Sequence, residues 1–168
     1  PPRSGPDIVA NAGGVSRNLN NIGGPAARAR HSAAISIANA SDTLITTLDA
    51  EDFDTDTIHS LVTNTGRLTC KTAGKYYILA QLAWAANVTG NRLANIIHDR
   101  SGVRKVIAYD HRLAVTTAGR ETKQSCATIY DLAVNDFLEI TAGQDSGGNL
   151  NIIADNYSPV FSMVRVGN

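Results

Sequence analysis

The densest chemistry-bearing stretch is Asp49-Ala50-Glu51-Asp52-Phe53-Asp54-Thr55-Asp56, five carboxylates in eight residues. Oxygen clusters of this kind suit calcium, but the order of an EF-hand loop is missing. The stretch reads as a solvated acidic loop, or as the partner of a basic segment on a neighbouring molecule. His31, His59, His98 and His111 lie far apart. His98-Asp99 and Asp110-His111 are adjacent residues, which point to opposite faces of a strand and make poor partners for metal or proton transfer. Cys70 and Cys126 both fall in apolar, strand-like runs, and the sequence leaves open whether they pair or serve as small buried hydrophobes. A bridge would imply assembly outside a reducing compartment. No G-x-S-x-G, H-E-x-x-H, G-x-G-x-x-G, P-loop or C-x-x-C motif occurs. The expectation is a protein that is not an enzyme, with no catalytic residue, no metal ligand and no cofactor. Asn39, Asn87 and Asn156 open N-x-S/T sequons, which matter only in a secreted eukaryotic chain.

The elements that must carry these residues follow from composition and spacing. The 168 residues suit one domain. Fifteen Lys and Arg balance fifteen Asp and Glu. That neutrality argues against nucleic acid and anionic membrane surfaces as partners, since both demand a basic excess. No apolar run approaches the roughly 20 residues that span a bilayer, and the N-terminus lacks the layout of a secretory signal. A soluble chain with no membrane insertion is expected.

The first 27 residues hold 4 of the 5 prolines and 5 of the 14 glycines. Their apolar residues, among them Ile8, Val9, Leu19 and Ile22, keep neither helix nor strand spacing. This predicts an extended N-terminal arm over 1–29. Through residue 30 it carries Arg3, Arg17, Arg28 and Arg30 against Asp7, a net +3 that the remainder offsets.

From His31 on, short β-branched and aromatic runs alternate with turn-forming clusters such as Ser101-Gly102, Thr117-Ala118-Gly119, Asn135-Asp136 and Asp145-Ser146-Gly147-Gly148. Strands are predicted near 31–37, 43–48, 57–62, 66–71, 75–87, 92–99, 104–110, 123–134, 136–142, 149–154 and 159–167. So many short strands suit an all-β, two-sheet antiparallel sandwich or jelly roll over 30–168. Residues 75–87 are largely apolar on both faces: Tyr76, Ile78, Ala80, Leu82 and Trp84 on one, Tyr77, Leu79, Gln81, Ala83 and Ala85 on the other. A sandwich strand buries one face, so the second needs a cover. A subunit interface through Tyr77, Leu79, Gln81 and Ala83 is the simplest; the arm, another loop or a buried helix are the alternatives.

Here the chain resembles the jelly-roll superfamily of the complement first component's q-subunit heads and tumour necrosis factor. Leu68, Gly74, Tyr76 and Ile78 fall at the spacing of the family's aromatic residue and Gly-x-Tyr-x-Phe, with Leu68 and Ile78 at two positions where the family has Phe. Asp56 and Leu61 match the upstream pattern. Leu132 with Asn135-Asp136-Phe137-Leu138 resembles the family's L-x-x-G-D strand entry, with Asn135 in place of Gly, and Ser158–Val164 resembles its closing strand. The resemblance implies a homotrimer. Gly74 is expected to enter its strand in a conformation other residues resist, and Tyr76 to bury its ring while its hydroxyl finds a partner near the sheet end.

With the arm and the absent chemistry, this reading points to a bacteriophage virion protein: a trimeric capsid decoration knob on the outer surface of the particle. Its arm would contact the major capsid protein through Arg3, Ile8, Val9, Arg17, Leu19, Ile22, Arg28 and Arg30. The alternative is a receptor- or carbohydrate-binding module, a host-attachment tip or extracellular recognition domain, using the polar loops 87–91, 101–104 and 144–149.

Overall fold

The computed structural model describes residues 24–168. Arg3, Ile8, Val9, Arg17, Leu19 and Ile22 lie outside the described residues. Twelve strands follow in chain order: β1 (Ala26–Arg30), β2 (Ile35–Ile37), β3 (Ser41–Leu44), β4 (Ala50–Asp54), β5 (Leu68–Thr69), β6 (Gly74–Trp84), β7 (Asn91–Arg100), β8 (Val103–Leu113), β9 (Thr122–Leu132), β10 (Phe137–Gln144), β11 (Leu150–Ile152) and β12 (Val160–Gly167). They form two antiparallel sheets, an all-β jelly roll. In the first, β6 lies between β9 and β12, followed by β1 and edge strand β4, while β11 and β2 extend it beside Trp84. The second runs β3, β10, β7, β8, with β5 on β10 beside β3.

The core lies between the sheets, where period-2 alternation brings the apolar faces together. Tyr76, Ile78, Ala80, Leu82 and Trp84 of β6 meet Ala94 and Ile96 of β7, Leu138, Ile140 and Ala142 of β10, and Phe161 and Met163 of β12. Each large side chain so buried contributes roughly 1.5–3 kcal/mol. Tyr76 is fully buried and its hydroxyl donates to the Thr72 carbonyl at 2.6 Å, as its position at the sheet end predicts. Gly74 has φ 152°, and a Cβ there would lie 2.5 Å from both Arg165 Nε and the Gly167 carbonyl oxygen. Gly74→Ala is therefore expected to cost about 1–3 kcal/mol, seen as a lower urea midpoint at unchanged m-value. Asn135, where the resemblance placed Gly, has φ 72°, a left-handed conformation that Asn tolerates better than most residues.

Several boundaries differ from those predicted. β1 starts at Ala26, inside the expected arm, because it pairs with β12 on one side and β4 on the other. The run 57–62 is no strand: the Asp54 carboxylate accepts the N–H groups of Asp56, Ile58 and His59 at 2.8–3.0 Å and turns the chain there. The acidic stretch is not a solvated loop, since most of it forms β4. Cys70 and Cys126 are separate, buried free thiols, and burial pushes the Cys126 thiol up to about 11.

The chain direction gives the sandwich two distinct ends. The start of β1 and the end of β12 lie side by side, Ala26 opposite Val164, at the end that also holds Gly74, Ser101-Gly102 and Asn135. The loops 85–90, 114–121 and 145–149 occupy the other end.

Candidate assembly interface

Register builds the outer face of the β6 sheet row by row. Tyr77 lies opposite Ile129 of β9 and Val164 of β12; Leu79 lies opposite Ala127 and Ser162, in line with Arg28 of β1 and Phe53 of β4. Ile129 is 62% exposed, Phe53 48%, Tyr77 40% and Val164 39%. Leu79 and Gln81 are partly buried. Ile129, Tyr77 and Val164 thus form an apolar row across the centre of the face with Leu79 beside it, the surface property that marks an association site, while Ser162 and Arg28 separate Phe53 from it.

Tyr77, Leu79 and Gln81 share this face as the alternation predicts. Ala83 does not belong to it: the residue is fully buried. Its N–H donates to Ser158 Oγ at 2.7 Å and its carbonyl accepts the Ile153 N–H at 2.8 Å, so the chain's own 153–158 segment closes over the end of the strand. Ile129, Val164 and Phe53 were not singled out from the sequence. Their neighbours across the sheet are set by pairings between segments far apart in the chain, and only the alternation within each strand hinted at an outward position.

Arg28 and Arg30, assigned to the arm, project from β1 and are engaged inside the chain. Both pair with Asp52, Arg30 Nε at 3.1 Å from Oδ1, and Arg28 also donates to the Asn156 carbonyl at 2.7 Å. Ahead of β1 the charged residues are then Arg3 and Arg17 against Asp7. The other carboxylates of the acidic stretch are also engaged: Asp49 accepts from Ser32, whose hydroxyl holds its carboxyl below the ordinary range against a burial effect that raises it. Glu51 meets His59 Nδ1 at 2.7 Å, and Asp56 accepts from Thr72 at 2.9 Å. No group of three His, Cys, Asp or Glu placed to hold a metal ion occurs among the described residues.

Two polar clusters invisible in the sequence support the framework. Asp136, 3% exposed, accepts from Arg100 Nε and Nη2, from the Ala133 N–H at 2.9 Å, and meets His98 Nε2 at 3.0 Å. Burial raises its carboxyl, but these partners together outweigh burial and hold it below the ordinary carboxylate range. Most of these contacts converge on Oδ2, and Asp136 is thereby a clamp between β7, β10 and the 133–136 turn. Arg92, fully buried, donates to the carbonyls of Asn87, Thr89 and Asn91 at 2.8–3.1 Å and ties down the 85–90 loop. Trp84 and Gln124 continue this network, Trp84 Nε1 donating to Gln124 Oε1 at 2.7 Å and Gln124 Nε2 donating to the Arg92 carbonyl at 3.0 Å.

This arrangement of sheets has counterparts among solved structures. The Eiger TNF of S. frugiperda superposes with a TM-score of 0.61 at 13% identity, over 87% of this chain and 94% of that one. The globular domain of the zebrafish complement 1qA protein gives 0.57 at 16% identity, over 86% and 99%. Murine APRIL at pH 5.0 gives 0.58 at 10% identity, over 80% and 98%. The fold is thus that of the TNF and C1q jelly-roll domains. No protein-family model and no curated protein matches the chain.

Proposed function

We propose that the chain is a non-enzymatic structural protein of a bacteriophage particle, a homotrimeric knob on the outer surface of the capsid, attached to the major capsid protein by its N-terminal arm. The observation that carries the assembly part is the exposed row of Ile129, Tyr77 and Val164 across three neighbouring strands. Three copies packing these faces around a common axis remove from water a surface that a monomer leaves wet. The capsid part is supported by the Pro- and Gly-rich segment ahead of β1. With Arg28 and Arg30 committed to Asp52, its attachment relies on Ile8, Val9, Leu19 and Ile22, with Arg3 and Arg17 adding charge complementarity. A recognition module is the second reading, favoured by an apolar-floored groove with a polar rim on the outward face of the β10 sheet, near the end away from the start of β1.

The test compares the full chain with a chain starting at Gly24, a cut that keeps β1 whole. Light scattering is expected to give a trimer mass for both, and the shortened protein is expected to lose co-sedimentation with particles stripped of this protein. A monomer mass for both overturns the trimer, and undiminished particle binding by the shortened chain overturns the arm as anchor.

A further inference from the structure

The outward face of the β10 sheet carries a groove of about 320 Å³ where β3, β10, β7 and β8 run side by side. Leu93 and Gly143 sit directly opposite each other and form its floor. A side chain at position 143 would place its Cβ 3.2 Å from the Ser41 carbonyl oxygen and 3.4 Å from Leu93 Cβ, so glycine keeps the floor low. Exposed Asp42 stands on one side, paired in register with Gly143, and exposed His111 on the other, paired with Leu93. Asn91 and Asp145 close the end. Asp145 accepts both the backbone N–H and, at 2.9 Å, the side-chain amide of Asn91, which fixes that amide at the mouth. Tyr109, 74% exposed, stands outside the lining, two residues along from His111 on the same outward face.

We propose that this groove is a binding site for a neutral sugar ring. A pyranose has an apolar C–H face and a rim of hydroxyls. The Tyr109 ring offers a stacking surface for the first. Asp42, Asn91 and His111 offer acceptors and donors for the second, around an apolar floor. The volume sits at the lower end of small-molecule sites, roughly 300–1,000 Å³. Charge narrows the class further: Asp42 and Asp145 repel uronic acids, sialic acids and phosphorylated sugars, and no Lys or Arg lines the groove. A cationic ligand is disfavoured because Asp145 is already committed to Asn91, leaving one carboxylate for it. The groove also joins two loops, 85–90 and 145–149, that lie at the end away from the start of β1. The site is open to ligand on a capsid-bound knob and on a free-standing module alike, so it stands or falls independently of the virion reading.

Amide chemical shifts of the full-length chain, titrated separately with glucose, galactose and N-acetylglucosamine, test the proposal. Saturable shifts at Gly143, Asn91 and His111 are expected with at least one of them. Tyr109→Ala and Asp42→Ala, both at exposed positions, are each expected to weaken that binding tenfold or more while the remaining spectrum is retained. N-acetylneuraminic acid is expected to bind at least tenfold more weakly than the neutral sugar. Absence of saturable shifts with all three sugars overturns the site, as does binding unchanged in both variants. Preferential binding of a lysine methyl ester at the same amides overturns the ligand class.

Discussion

Asp136→Ala is expected to cost about 1–3 kcal/mol for each buried donor it strands, because His98 loses its acceptor in a buried site, while Arg100, half-exposed, can turn to water. The Ala133 N–H loses its acceptor as well, which loosens the turn entering β10. The same group makes the effect depend on pH. Its carboxyl is held below the ordinary value in the folded chain. Its stabilisation is therefore fully present above the unfolded value, about 3.9, and is lost as pH falls through the folded value. Urea midpoints of the native protein and of Asp136→Asn should differ most from pH 5 upward, about one unit above that unfolded value, and converge under acid. A constant difference down to the acid limit would show that the carboxylate's charge is not what matters.

Tyr77→Asp is expected to convert the proposed trimer to a folded monomer. Tyr77 already meets water in the isolated chain, so a charge there is tolerated by the monomer, but three buried carboxylates around one axis lack partners. A cost of about 3 kcal/mol per copy weakens association more than a hundredfold. Ala83→Asp should behave in the opposite way, unfolding the chain, since that position is closed over by the protein's own 153–158 segment. Light scattering paired with far-ultraviolet circular dichroism separates the two: mass falls with spectrum kept for Tyr77→Asp, and spectrum is lost for Ala83→Asp. A trimer mass retained by Tyr77→Asp removes the β6 face from the interface.

What the sequence revealed and what it concealed divide along the range of the forces involved. Tyr76, whose hydroxyl reaches only back to Thr72, and the alternation through residues 74–82 act within a few residues of themselves, so spacing alone exposes them. The strand over 26–30 was hidden because Pro25 and the glycines before it mark a break, whereas the pairing that makes it a strand comes from β12, more than a hundred residues later. The acidic stretch was misread for the same reason. Its charges suggest solvation, yet Asp52 is neutralised by Arg28 and Arg30 from the neighbouring strand and Glu51 is hydrogen-bonded to His59. Asp136 was visible only as half of a turn signal. Its partners His98 and Arg100 reach it across the β7–β10 pairing, which no local pattern encodes.

The side-by-side placement of the start of β1 and the end of β12 makes the molecule a directional display scaffold. A peptide fused before Gly24 or after Gly167 leaves from one end. A peptide spliced between Gly147 and Gly148 leaves from the other end, and at both glycines an added Cβ would meet no atom within 4 Å. Cargo can therefore be sent to either end of the sandwich by the choice of splice point alone.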